Sequence, residues 1–135
     1  MLGLLDIDPA AAAPIWRQIE DGMRRLVASG ALPVGTAVPS VRELARELRI
    51  NPATVSKAYQ RLTADGALEV RRGEGTFVAE RPEGALADER ERLLGDGAAT
   101  FVEAARSMGV TESDAIAAIS TAWREITDAA DGGNK

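Results

Sequence analysis

The pair Asn51-Pro52, inside the stretch "RINPATVSKAY", constrains the fold of this chain more than any other feature. Proline disfavours helical geometry in the residue before it, so a helix running through Leu48 has to stop near Ile50. The same proline loses nothing in the first turn of a new helix, where its missing N–H has no intrahelical partner, and Asn51 is a favoured N-cap. Upstream, "SVREL" matches a capping box, with Ser40 accepting the N–H three residues on and Glu43 reaching back to the Ser40 N–H. The helix it opens, 41–48, buries Val41, Leu44, Ala45 and Leu48 and leaves Arg42, Arg46 and Arg49 on other faces. The second helix, from Pro52 to a stop at Gly66, buries Val55, Leu62 and either Ala58 or Tyr59. Its opposite face offers Ala53, Thr54, Ser56, Lys57 and Gln60, all short, polar or cationic. Two short helices parted by Arg49, Ile50 and Asn51 predict a helix-turn-helix.

The flanks extend that motif. Ile15, Ile19, Met23, Leu26 and Val27 recur at helical spacing after Pro14, so 14–29 reads as an amphipathic helix ended by Gly30, with Trp16 beside its stripe as a packing residue. "ALPVGTAVP" is a turn-rich connector. Leu68–Val70 and Thr76–Val78 are brief β-type runs around "RRGEG", which predicts a hairpin with a glycine-rich tip carrying Arg71, Arg72, Gly73 and Gly75. Gly73-Glu74-Gly75 lacks the Gly-Lys-Ser/Thr continuation of a phosphate-binding loop and reads as a turn. The expected fold class is mainly α with a small β-hairpin, a winged helix-turn-helix over residues 1–80, followed by a helical tail over 81–135.

Pro82 and Gly84 mark the boundary. Beyond it Leu86, Leu93, Gly97, Phe101, Ala105 and Met108 recur near helical spacing, with Leu94, Ala98 and Val102 widening the face and Gly109 closing it. Gly95 and Gly97 each weaken a helix by about 1 kcal/mol relative to alanine, which points to a kink or a close helix contact. Thr111 and Asp114 resemble a capping box for a final helix reaching Ala129 or so, with Ile116, Ile119, Trp123 and Ile126 in its stripe, and a frayed "DGGNK" end. Two helices alone do not bury two such stripes. Packing against a second copy through Leu93, Leu94, Phe101, Val102, Met108, Ile116, Ile119, Trp123 and Ile126 is the expected solution, a homodimer of helical hairpins. The competing reading folds both helices back onto the N-terminal domain of the same chain.

Composition removes several function classes. With neither cysteine nor histidine, the chain has no disulfide framework, no Cys/His zinc site and no imidazole-dependent catalysis. No converging carboxylate pair stands out, so no enzyme site, metal or cofactor is expected. No apolar run approaches the roughly 18 residues of a membrane span, and "MLGLLDIDP" does not read as a signal peptide, so the expected address is the cytoplasm, with no membrane partner. The net charge of −5 is uneven: from residue 81 onward eleven acids face six bases, which accounts for all of it. Between Pro39 and Arg61 five bases face two acids, a local excess of +3 in a chain of pI about 4.8.

"PIWRQI", "VPSVRELARELRINPATVSKAYQRLTADGALEVRRGEGTFVA" and the spacing between them resemble the winged helix-turn-helix of the GntR family of bacterial transcription regulators, over about residues 10–80. The roughly 55 residues that remain are too few for that family's larger effector domains, and a two-helix tail resembles its YtrA-like branch. The resemblance implies a homodimer that binds palindromic double-stranded DNA, acting as a repressor and encoded near ABC transporter genes. It places Arg42 of the second helix, Asn51, Ala53, Thr54, Ser56 and Lys57 of the recognition helix, and Arg72 and Gly73 of the wing tip at the DNA, and the neighbouring Ser40, Arg71 and Gly75 are expected there with them. Better-known branches place arginines near positions 52 and 56; with Pro52 and Ser56 there, their operator preference does not transfer. The physics agrees in kind, since helix N-termini and hydroxyls bind phosphate and an arginine fork suits phosphate or guanine. The alternative is a winged-helix module that binds protein. No ligand domain is visible for a small-molecule effector, and a pocket at the dimer interface or between tail and wing stays open.

Overall fold

The computed structural model describes residues 5–132. The opening "MLGL" and residues 133–135 of the expected frayed end lie outside the described residues. The order is α1 (Ile15–Ala28), β1 (Ala37–Val38), α2 (Val41–Leu48), α3 (Pro52–Ala64), β2 (Leu68–Arg71), β3 (Gly75–Val78), α4 (Ala85–Ser107) and α5 (Glu112–Gly132). Two compact units divide after Arg92, within α4.

The first unit is built around the stripes of α1, α2 and α3. Ile19, Met23, Leu44, Val55, Leu62 and Val78 are fully buried in one core, with Ala58 and Tyr59 both buried beside them. Each such aliphatic side chain contributes about 1.5–3 kcal/mol by leaving water. The Tyr59 hydroxyl donates to the Pro39 carbonyl at 2.7 Å, tying α3 to the entry of α2. Burial, with a further push from the Glu43 charge, raises the Tyr59 pKa, so this phenol stays neutral. Gly22 in α1 makes room for Leu5 of the leading segment, whose Cδ2 lies 2.7 Å from where a β-carbon would stand.

The hairpin is wider than the sequence implies. β3 lies between β2 and β1 in an antiparallel sheet, with Ala37 opposite Phe77 and Val38 opposite Thr76. The connector "ALPVGTAVP" therefore supplies a third strand, too short to show a period of its own.

Charges are also buried here. Arg24 of α1 donates to Glu20 at 2.9 Å, to Glu89 of α4 at 3.3 Å, and to Asp65. Arg81 donates to the other Glu89 oxygen, and the Arg61 Nε–H to Glu20 at 2.7 Å. Arg90 Nε–H reaches the Ala28 carbonyl at 3.3 Å, and Leu86 packs on the core. Leu86 thus belongs to the first unit's packing rather than to the tail stripe in which its spacing placed it.

In the second unit, α4 ends where Gly109 takes φ 73° and the Val110 N–H returns to the Ala105 carbonyl at 3.0 Å. Thr111 Oγ1 accepts the Asp114 N–H at 3.2 Å and opens α5, which runs three residues past the expected Ala129. Ala105 is the one buried side chain among the described residues of this unit, and α5 buries none. Within this chain a β-carbon at Gly95 or Gly97 would meet nothing within 4 Å, and α4 continues through both.

Candidate nucleic-acid interface

The helix-turn-helix forms at the predicted boundaries. Ser40 Oγ accepts the Glu43 N–H at 3.1 Å, while the return bond from Glu43 expected of a capping box does not form. Ser40 Oγ serves here as an acceptor, so its hydroxyl proton remains available to another group. Asn51 Oδ1 accepts the Ala53 N–H at 2.9 Å, which leaves its amide NH2 as a donor at the head of α3.

The turn is made by an unusual residue. Arg49 caps α2 at φ 56° and ψ 49°, and the N–H groups of Arg49 and Ile50 return to the Arg46 and Ala45 carbonyls. It is the only non-glycine among the described residues with positive φ. That conformation suits glycine, so Arg49 leaves the helical face on which the sequence put it.

Around α3 the faces separate. Val55, Ala58, Tyr59 and Leu62 point into the core. Ser56, Gln60 and Thr63 line a groove of about 450 Å³ with Val70 and Thr76 of the sheet. Lys57 and Arg61 lie over the Trp16 indole of α1, at 4.4 and 4.9 Å from its centroid. Ala53, Lys57 and Gln60 are exposed, whereas Thr54 and Ser56, expected on the open face, are half-buried. Arg42 and Arg46 are exposed and line a second groove, of about 360 Å³, with Ile50 and Pro52.

At the wing the two arginines differ. Arg71 pairs with Gly75 at the end of the hairpin, stacks on Phe77 at 4.1 Å and meets Glu69 at 3.4 Å. Arg72 sits in the turn, exposed, next to Gly73 at φ 76°, with the Glu74 N–H closing on the Arg71 carbonyl at 2.9 Å. A turn of that kind needs positive φ at its third residue, which glycine supplies at no steric penalty.

Sequence reasoning did not select Gln60 or Trp16 for this surface, nor Glu20 and Arg24 for its support. Gln60 stood on the predicted open face. Glu20 and Arg24 have the spacing of a helix ion pair, but spacing does not tell a buried pair from a surface one.

In the second unit a groove of about 500 Å³ brings together Phe101, Val102, Ile116 and Ile119. Leu94, Met108, Trp123 and Ile126 are exposed outside it, and Leu93 is half-buried.

Three helices, a tight turn and a three-stranded sheet with a basic hairpin tip define a winged helix-turn-helix protein. Residues 16–78 match the family described as "Bacterial regulatory proteins, gntR family". The HTH-type transcriptional repressor YtrA of Bacillus subtilis is 38% identical over 91 residues, covering 67% of this chain and 70% of its own. The uncharacterized HTH-type transcriptional regulator YhcF of the same organism is 36% identical over 113 residues, 82% of this chain and 91% of its own. The structure of YtrA from Sulfolobus acidocaldarius, a GntR-family transcription factor, superposes with TM-score 0.54 at 31% identity, over 71% of this chain and 98% of that one. The chain belongs to the GntR family of bacterial regulatory proteins, and is similar to its YtrA-type members. These relatives are transcription regulators, not enzymes. Among the described residues no helix is long and apolar enough to cross a membrane.

Proposed function

We propose that this protein is a homodimeric, sequence-specific DNA-binding repressor of the cytoplasm, with residues 1–80 as its DNA-binding domain and 81–135 as its dimerisation tail. The observation that carries this reading is the outer side of α3. None of its 13 residues is acidic, its exposed face offers Ala53, Lys57 and Gln60, and Arg42 and Arg72 stand exposed on the neighbouring elements. Phosphate contacts from Lys57, Arg72 and the Ser40 hydroxyl would fix the register, with the Arg42 fork on a phosphate or a guanine, while α3 enters the major groove with Asn51, Ala53, Thr54 and Ser56 near base edges. Arg71, held by Phe77 and Glu69, supports the wing, and Gly73 and Gly75 let its backbone approach the duplex closely.

The exposed apolar stripe of α4 and α5 supports the dimer. A two-fold pair of chains would set two recognition helices about 34–36 Å apart on a palindromic site. The repressor named among its relatives supports the sign of regulation, and the YtrA resemblance suggests a transporter operon as the target. The acidic excess beyond residue 81 works against non-specific DNA binding, while the phosphate contacts of the two basic segments in a dimer should make affinity fall steeply with salt.

The test is a salt titration of the chain against DNA that it selects from a random pool and against unselected DNA. Tighter binding of the selected sequence, weakened about 5- to 100-fold by Arg42→Ala, is expected. Absence of any salt-dependent binding, with Arg42→Ala without effect, would leave the protein-binding module as the surviving reading.

A further inference from the structure

We infer that Trp16 is a positioning residue for DNA binding, an indole shelf on α1 that holds the Lys57 ammonium at the edge of α3 for a backbone phosphate. This rests on the DNA-binding reading above and adds to it a residue outside the helix-turn-helix. Lys57 Nζ lies 4.4 Å from the ring centroid and the Arg61 guanidinium 4.9 Å. The two cations differ in what else they touch. Arg61 is paired with Glu20 at 2.7 Å, so its charge is already met. Lys57 has no carboxylate partner among the described residues, and its side chain is exposed.

A lysine side chain loses rotamer freedom worth about 2 kcal/mol when one contact fixes it. A ring face that already gathers the ammonium supplies part of that ordering before DNA arrives. The indole is suited to the task because its attraction is weak, about 0.5–1 kcal/mol at an exposed site, and does not neutralise the charge. A carboxylate in the same place would compete with the phosphate. Glu20 completes the arrangement by neutralising Arg61, so that one net positive charge remains on the shelf and it belongs to Lys57.

The free protein can be examined directly, because Lys57 and Lys135 are its only lysines. In the 13C-lysine-labelled chain, the Lys57 side-chain methylene signals should be shifted upfield by the ring and return toward the free-lysine value in Trp16→Leu. Lys57 signals at the free-lysine value in the wild type would overturn the inference. On selected DNA, Trp16→Leu should weaken binding about 2- to 5-fold, and Trp16→Phe, which keeps a ring face, should weaken it less. In a Lys57→Ala background the Leu substitution should have no further effect, a coupling that general damage to α1 would not produce. Equal loss with and without Lys57, or tighter binding by Trp16→Leu, would overturn it. If the wild-type chain selects no DNA, the functional reading itself fails; if it binds and the two substitutions are merely additive, only the role of Trp16 fails.

Discussion

The two units of this chain solve the burial problem in opposite ways. Up to Arg92, three short helices and a small sheet enclose a core in which Ile19, Leu44, Val55 and Val78 have no exposure at all. From Leu93 onward, the rest of α4 and the 21-residue α5 enclose almost nothing: Trp123 is 73% exposed and Ile126 71%. Length of secondary structure is therefore no guide to self-sufficiency here. Short elements meeting at angles surround a volume, whereas a pair of helices has one shared seam and leaves its remaining apolar surface to water. Exposed large apolar side chains such as these support the dimer proposed above.

The largest expected effect tests this contrast. Leu44→Ala should destabilise the first unit by about 2–5 kcal/mol, seen as a lower thermal midpoint at every protein concentration. The larger truncation Trp123→Ala should cost under about 0.5 kcal/mol in dilute, monomeric chain. At concentrations where copies associate, it should lower both the midpoint and the mass measured by sedimentation. A loss at Trp123 that matches Leu44 and ignores concentration would break the comparison.

Acid should separate the units next. Burial raises the Glu20 pKa, but hydrogen bonds from Arg24 and Arg61 and their charges outweigh it, leaving the carboxyl below its ordinary 4.5. A group lowered in this way contributes stability that is fully present above its unfolded value and is lost as pH falls through the folded one. Melting of the first unit should therefore weaken as pH drops below about 4.5, and Glu20→Gln should flatten that dependence while lowering stability at neutral pH. Thermal scans across this range, followed by circular dichroism, supply the measurement.

The smallest effect concerns the turn between α2 and α3. Arg49→Gly removes a side chain from a left-handed conformation and should stabilise the first unit by about 0.5–1 kcal/mol, read from chemical denaturation. An unchanged or lower midpoint would mean that the arginine side chain offsets its own strain.

Much of the first unit was legible because its signals are local. Ser40 and Asn51 each fix a helix start by accepting an N–H within three residues, Pro52 does so through its fixed φ, and Gly30 and Gly66 stop helices at positive φ. β1 was not legible, since two residues show no alternation and their pairing with Phe77 and Thr76 spans about 40 positions of chain. The candidate surface divides the same way. The exposed face of α3 follows from helical period, but the half-burial of Ser56, which shares a groove with Val70 and Thr76, and the attachment of Arg71 to Phe77 depend on how the wing folds back. The partnership of Trp16 with Lys57 joins residues 41 positions apart, and spacing along one helix does not reveal it.

The grip of early α4 on α1 bears on how this protein can be taken apart. A fragment ending at Glu80 would keep the whole helix-turn-helix and the wing, yet it would strip away Leu86, Arg81 and Glu89. Arg24 would then lose one of its buried carboxylates, and an apolar patch under Leu86 would open to water. Removing one member of a buried ion cluster is more damaging than never having built it. A fragment ending at Arg92, two turns into α4, keeps all of these contacts.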